Sequence, residues 1–180
     1  MSVKYIEITN GGVAMVNEDV YQFINQFKWY RSSEGYPTMS RTGNGGIKHS
    51  VKMHHLVLGM EPGRTSVVDH INFVKMDNRR ENLRICTQSQ NSKHIPGWRN
   101  KKSSIYKGVF PRIGGKKWRV IVCCDKKRYS VGDFNSETEA AMAYNDAALK
   151  LFGEFAHLND LKKAGEPILT GENNVASREA

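Results

Sequence analysis

Asp69, His70, Asn82 and Asn91 are the densest set of groups in this chain with the chemistry to catalyse a reaction. Hydrolysis of a phosphodiester needs a cation to neutralise developing charge, an activated water and an oriented phosphate. A carboxylate and an amide oxygen, from Asp69 and Asn91, are hard ligands suited to Mg²⁺ or Mn²⁺, and Mg²⁺ in particular keeps several waters. The imidazole of His70 has an ordinary pKa near ~6.5 and is able to take a proton from an attacking water. Asn82 offers an amide to hold a loop or the imidazole in place. The residue types alone leave a blander reading open, a solvated aspartate beside a packed or exposed histidine. Adjacent residues of a regular strand also point to opposite faces, so Asp69 and His70 share a site only at a twisted or irregular strand end.

The surrounding sequence predicts elements able to bring these groups together. Residues 66–71 form a β-branched run, residues 72–82 a polar loop, and residues 83–86 a second short strand. Thr87-Gln88-Ser89-Gln90 then has the form of a capping box, which opens a helix carrying Asn91 in its first turns. A hairpin followed by a helix delivers both oxygen ligands to one place. Upstream, apolar residues flank Asn10-Gly11-Gly12 as in a β-hairpin, residues 19–27 suggest a helical turn, and Trp29-Tyr30 with Tyr36 suggest another hairpin. Residues 51–58 fit a strand or a short helix equally well. Downstream, residues 107–110, 118–124 and 127–131 read as strands, with turns at Gly114-Gly115 and Asp125-Lys126. Ser136-Glu137-Thr138-Glu139 is a second capping box, opening a helix that ends near Gly153. Its stripe of Ala141, Tyr144, Ala148 and Leu151 is expected to face a sheet. The fold class expected is α+β.

Charge narrows the class of partner. The 180 residues hold 27 Lys and Arg against 18 Asp and Glu, a formal balance of +9. Residues 103–132 alone hold eight bases and one acid, a concentration that suggests nucleic acid. Strand alternation puts Trp118, Val120, Val122 and Cys124 on one face, and Arg119, Ile121 and Cys123 on the other. Lys107, Arg112, Lys116, Lys117, Arg119 and Arg128 are the candidate DNA contacts, the long basic side chains of a ribbon sized for the major groove. No run approaches the ~18 apolar residues of a membrane span. Residues 1–10 lack the pattern of a secretory signal. Cys86, Cys123 and Cys124 form no disulfide framework and no zinc-type pair, which fits a reducing compartment. His54 is open between a phosphate contact and a packed histidine bonding the backbone. Residues 43–46 are glycine-rich without the Lys-Ser/Thr of a phosphate-binding loop.

Two stretches resemble known families. Val68-Asp69-His70-Ile71-Asn72, residues 77–84 from Asp77 to Arg84, and Thr87 to Asn91 resemble the HNH endonuclease signature of phage and mobile elements, and Met53-His54-His55-Leu56-Val57 looks like its upstream stretch. The resemblance implies a ββα-metal finger. Asp69 and Asn91 would be the metal ligands, His70 the general base, and Asn82 an orienting member of the catalytic set. Phe73-Val74 stand where the family often has a Gly-Asn turn, and His55 where Arg is usual. Tyr106-Lys107-Gly108-Val109, Lys117-Trp118-Arg119, Val131-Gly132-Asp133-Phe134 and residues 139–145, continuing through 147–153 to Leu158-Asn159, resemble the Apetala-two/ethylene-response-factor DNA-binding domain. That resemblance implies a three-stranded sheet laid in the major groove with a helix behind it.

Together these imply a nuclease domain over 1–95 with its ββα-metal core at about 50–95, and a basic linker at 96–104. A DNA-binding domain at 105–159 and a flexible tail at 160–180 would follow. The function expected is a metal-dependent DNA endonuclease of the HNH homing type, acting on double-stranded DNA with Mg²⁺ or Mn²⁺, without a small-molecule substrate or membrane partner. A monomer nicking inside the host cell of a phage or mobile element is the favoured form. The competing reading is a non-catalytic DNA-binding or regulatory protein whose nuclease fold is a relic.

Overall fold

Alternating apolar side chains on Val3–Glu7 (β1) and Val13–Asn17 (β2) close an antiparallel hairpin, with Gly11 and Gly12 at φ 100° and 99° in its turn. Glycine takes such angles without the steric penalty of a Cβ. The computed structural model describes residues 2–42, 46, 48–60, 66–96, 104–125 and 127–163. Its chain divides into two compact units, 1–91 and 92–180. The linker expected at 96–104 and the tail expected at 160–180 fall largely outside the described residues, as do residues 43–45 and Lys126.

In the first unit, β2 runs directly into helix α1 (Glu18–Ile24). Tyr30–Arg31 (β3), Pro37–Thr42 (β4) and Lys48–Lys52 (β5) form a three-stranded antiparallel sheet in that order. The ambiguous stretch 51–58 is both things in turn. Val51 and Lys52 still pair with Met39 and Thr38, and Lys52 then caps a short helix α2 (Met53–Val57). Apolar residues from all these elements, among them Ile6, Val16, Ile24, Trp29, Met39, Met53 and Val57, share one buried cluster with Val68 and Leu83. That cluster anchors a second hairpin, Ser66–His70 (β6) against Leu83–Thr87 (β7), followed by helix α3 (Gln88–His94). The capping box at α3 is formed: Gln90 N–H donates to Thr87 Oγ1 at 3.2 Å, and Thr87 N–H donates to Gln90 Oε1 at 2.9 Å.

In the second unit, Val109–Pro111 (β8), Trp118–Cys124 (β9) and Lys127–Phe134 (β10) make an antiparallel sheet with β9 central. Strand β10 runs three residues beyond the expected end at Val131, across a register shift between Ser130 and Gly132. Val120 and Val122 pack on Ala140, Ala141, Tyr144 and Ala148 of helix α4 (Glu137–Phe152). Leu151, expected in that stripe, is 46% exposed, and Ala140 takes the inner position instead. Small alanines let sheet and helix approach closely. Gly108 shows how closely: at φ 76°, a Cβ there would lie 2.1 Å from the Tyr144 ring. Asn159 ties the end of the unit to its beginning, its side chain accepting from Lys107 N–H at 2.6 Å and donating to Lys107 O at 3.1 Å.

Candidate active site

The β6–β7 register sets Asp69 directly across from Arg84 and His70 across from Leu83. Arg84 donates from Nε to Oδ2 of Asp69 at 2.8 Å and its Nη2 lies 2.7 Å from the same oxygen as an ion pair, so a buried carboxylate is held by a guanidinium on the neighbouring strand. Taking a carboxylate out of water is costly without such a partner. His70 is the last residue of β6, its carbonyl accepts from Phe73 N–H at 2.9 Å, and Asp69 and His70 are 6% and 5% exposed.

His70 sits in a wall of rings. Its centroid lies 5.2 Å from that of His54 and 5.7 Å from that of Tyr36. Its Nε2 lies 3.4 Å from Oδ1 of Asn78, whose amide nitrogen faces the carbonyl of Lys75 at 3.3 Å. The amide is therefore turned with its oxygen toward the ring, so the tautomer that satisfies it carries hydrogen on Nε2 and a lone pair on Nδ1. Burial pushes the His70 imidazole below the ordinary histidine range, against the Asn78 hydrogen bond and the Asp69 and Asp77 carboxylates that pull it up. His54, 3% exposed, is pushed down to about 2 by burial, helped by His70, His55 and Lys52. It is a packed ring that also lines the cleft described below. Its buried Nδ1 has no hydrogen-bond partner among the described residues.

Asn82 lies in a 3-10 turn, Arg80–Asn82, just before β7. Its side chain accepts from Asn72 N–H at 2.9 Å and donates to Asp77 O at 2.8 Å, so it staples the two ends of the loop between the strands. Asp77, 1% exposed, is forked by Arg79 at 2.8 and 2.7 Å and takes a third bond from the Asn72 amide at 2.8 Å. The loop is then lashed to β2: Met15 N–H donates to Met76 O, Asn78 N–H to Met15 O, and Arg80 N–H to Oδ1 of Asn17. Phe73 closes the loop at φ 63°, in the left-handed region.

Asn91 is half-buried on α3, and its backbone N–H reaches the Cys86 thiol on β7. It lines a cleft of about 410 Å³ together with Tyr36, Lys52, His54, His55 and Lys75. Among the described residues no three His, Cys, Asp or Glu side chains gather as a metal-holding cluster. The candidate donor set is of another kind, one carboxylate and one amide oxygen. Such a set fits a hard cation that keeps most of its waters and does not fit zinc.

The candidate DNA contacts of the second unit divide into groups. Arg119 and Arg128 lie on the sheet face turned away from α4, since Arg128 pairs with Cys123 and Cys123 shares its face with Arg119. Asp133, across from Arg119, accepts from its Nε at 3.0 Å and lies 3.3 Å from Nε of Arg112. Lys116 and Lys117 are exposed in the β8–β9 turn. Lys107 donates from Nζ to the carbonyls of Lys93 and Ile95 at 2.9 and 2.6 Å.

Arg84, Asn78, Asp77 and Tyr36 are the partners that residue-type reasoning missed. Arg84 had a usable signal, because a tight β6–β7 register places it opposite Asp69. Tyr36 and Asn78 had none, since their meeting with His70 depends on tertiary contacts.

The strand–loop–strand–helix that carries these residues is also the segment on which the comparisons bear. Residues 51–93 match the model of the HNH endonuclease family. An uncharacterised HNH endonuclease of Acanthamoeba polyphaga mimivirus is 29% identical over 89% of this chain and 83% of its own length. Dehydration-responsive element-binding protein 2D of Arabidopsis thaliana is 44% identical over 59 residues, 32% of this chain and 28% of that protein. This chain thus spans little more than a quarter of the plant relative. No solved structure matches. The resemblances to the HNH family and, in part, to a plant DNA-binding protein are borne out.

Proposed function

We propose that this chain is a divalent-cation-dependent DNA endonuclease of the HNH homing type, brought to DNA by its second unit. The observation that carries the reading is the placement of His70: buried at the end of β6, with Nε2 3.4 Å from Oδ1 of Asn78, a pairing that leaves the lone pair on Nδ1. Such an imidazole is ready to accept a proton from water at neutral pH. Asp69 and Asn91 would hold the cation, Mg²⁺ or Mn²⁺, which when bound supplies charge neutralisation at the phosphate and at the leaving 3′ oxygen. Arg84 keeps the Asp69 carboxylate in place for that role. Asn82 acts through the loop it staples, fixing Asn78 and through it the imidazole. Proton removal by His70 lets water attack in line with the leaving oxygen, giving 3′-hydroxyl and 5′-phosphate ends.

The second unit would supply docking, with Lys116, Lys117, Arg119 and Arg128 offered to the duplex and Arg112 beside them. Lys107, whose ammonium already holds two carbonyls, contributes less than its charge suggested. One such site per chain gives nicking by a monomer, inside the host cell of a phage or mobile element. The test is incubation of the purified protein with supercoiled plasmid and Mg²⁺, with and without chelator. Relaxed circles that form with the cation and not with chelator support the reading. Binding without any cleavage in Mg²⁺ or Mn²⁺ reduces the chain to a DNA-binding protein with a relic site.

A further inference from the structure

The cleft beside His70 has a cationic mouth that none of the expected site residues accounts for. Lys52 ends β5 and Lys75 stands in the β6–β7 loop, yet their ammonium groups lie 4.4 and 4.5 Å from the centroid of one ring, Tyr36. Tyr36 is also the ring that meets His54 at 5.3 Å and His70 at 5.7 Å. The two ammonium groups therefore stand one ring away from the imidazole, on the cleft that Asn91 lines. A single residue answers both of them. The Glu34 carboxylate accepts from Lys52 at 2.7 Å, and the Glu34 carbonyl accepts from Lys75 at 2.6 Å.

We propose that Lys52 and Lys75, bracketing Tyr36, grip the phosphate backbone of the strand being cut next to the scissile bond, and that Glu34 occupies them until DNA arrives. The proposal rests on the nuclease reading and names the contacts that seat its substrate. Two ammonium groups against one ring repel each other unless an anion is near, and one exposed carboxylate compensates them incompletely. Glu34 is 62% exposed on its side chain, so its ion pair with Lys52 is the weak surface kind that a phosphate displaces at little cost. The histidines of the cleft do not provide the charge instead. His54 is neutral, and burial with the Lys52 ammonium also pushes His55 below the ordinary range. Tyr36 keeps its proton, since burial and the Glu34 and Asp69 charges push its hydroxyl up. Its ring gives both lysines a negative face to rest on.

The experiment measures binding of a labelled DNA duplex by fluorescence anisotropy in chelator, where no cleavage intervenes, across a series of salt concentrations. The full-length protein is compared with the Lys52→Gln/Lys75→Gln double variant and with Glu34→Gln. Two lost phosphate contacts lower the slope of log affinity against log salt by about 1.8. Glu34→Gln, which keeps both lysines and does not depend on the double variant folding, binds more tightly at low salt. A double variant that melts like the parent yet keeps its slope overturns the clamp, as does Glu34→Gln binding no better than the parent. Plasmid nicking by the parent protein separates the two ideas. Normal nicking with an unchanged slope removes the clamp alone, whereas a reduced slope without nicking removes the nuclease and leaves a DNA-binding cleft.

Discussion

Burial sets the proton affinity of the buried histidines one side chain at a time. His70 and His54 are pushed below the ordinary value of 6.5 by desolvation, His54 to about 2, and His157 in the second unit to about 4. Between those folded values and 6.5 the unfolded chain binds more protons than the folded one, so stability rises with pH across that window and is lost on acidification. The melting temperature is expected to fall between pH 7 and pH 5, read by thermal unfolding. A melting temperature that rises over this interval would mean that these rings are charged in the fold. The base form of His70 also persists below pH 6.5, so the acid limb of any cleavage profile lies below that value. Arg84 is the other decisive side chain. Arg84→Ala removes the guanidinium that compensates a buried carboxylate and is expected to cost about 3–5 kcal/mol in urea unfolding. A loss below 1 kcal/mol would show that Asp69 does not depend on it.

The β6–β7 loop is the element that fixes the site, and it was the least legible in the sequence. The strands, both capping boxes and the Asn10-Gly11-Gly12 turn were readable because each depends on residues within a few positions of one another. The order hairpin-then-helix around Asp69, His70 and Asn91 was readable for the same reason. What holds the loop was not: Asp77, Arg79 and Asn72 form a local knot, but its seat on Met15 and Asn17 crosses some sixty residues of sequence. Residues 51–58 stayed ambiguous because the chain changes from strand to helix at Lys52, inside a window too short for either period to show. Leu151 misled because a three-and-four spacing does not reveal where a helix outruns the sheet beneath it. Phe73 offers a direct test of this loop. At φ 63° a phenylalanine pays the left-handed penalty that glycine escapes, so Phe73→Gly is expected to stabilise the protein by about 0.5–1 kcal/mol. A destabilised Phe73→Gly in denaturant unfolding would mean that the ring's contacts outweigh the backbone strain.

Across the chain, the excess of positive charge is spent in two places with different work to do. The first unit keeps a few cations around the cleft, Lys52 and Lys75, and uses Arg79 and Arg84 inside itself to neutralise buried carboxylates. The second unit carries its bases on an exposed sheet face and turn, tempered by Asp133. Net charge alone therefore overstates the DNA footprint, since forked arginines are already paired. Replacing Lys116, Lys117 and Arg128 together by Gln is expected to weaken duplex binding and flatten its salt dependence by about 2.7 in log–log slope. An unchanged slope would move the docking surface elsewhere.

No helix among the described residues is long and apolar enough to cross a membrane. The central claim is that the His70 imidazole acts as general base in phosphodiester hydrolysis. The measurement that tests it most directly is the Mg²⁺-dependent nicking rate of supercoiled plasmid by parent protein and by His70→Ala, at protein concentrations that saturate binding of both. The account predicts a rate lower by ~10²–10⁴ with duplex affinity retained, the share that a general base contributes. Equal nicking rates would contradict it, and would place the base elsewhere in the molecule.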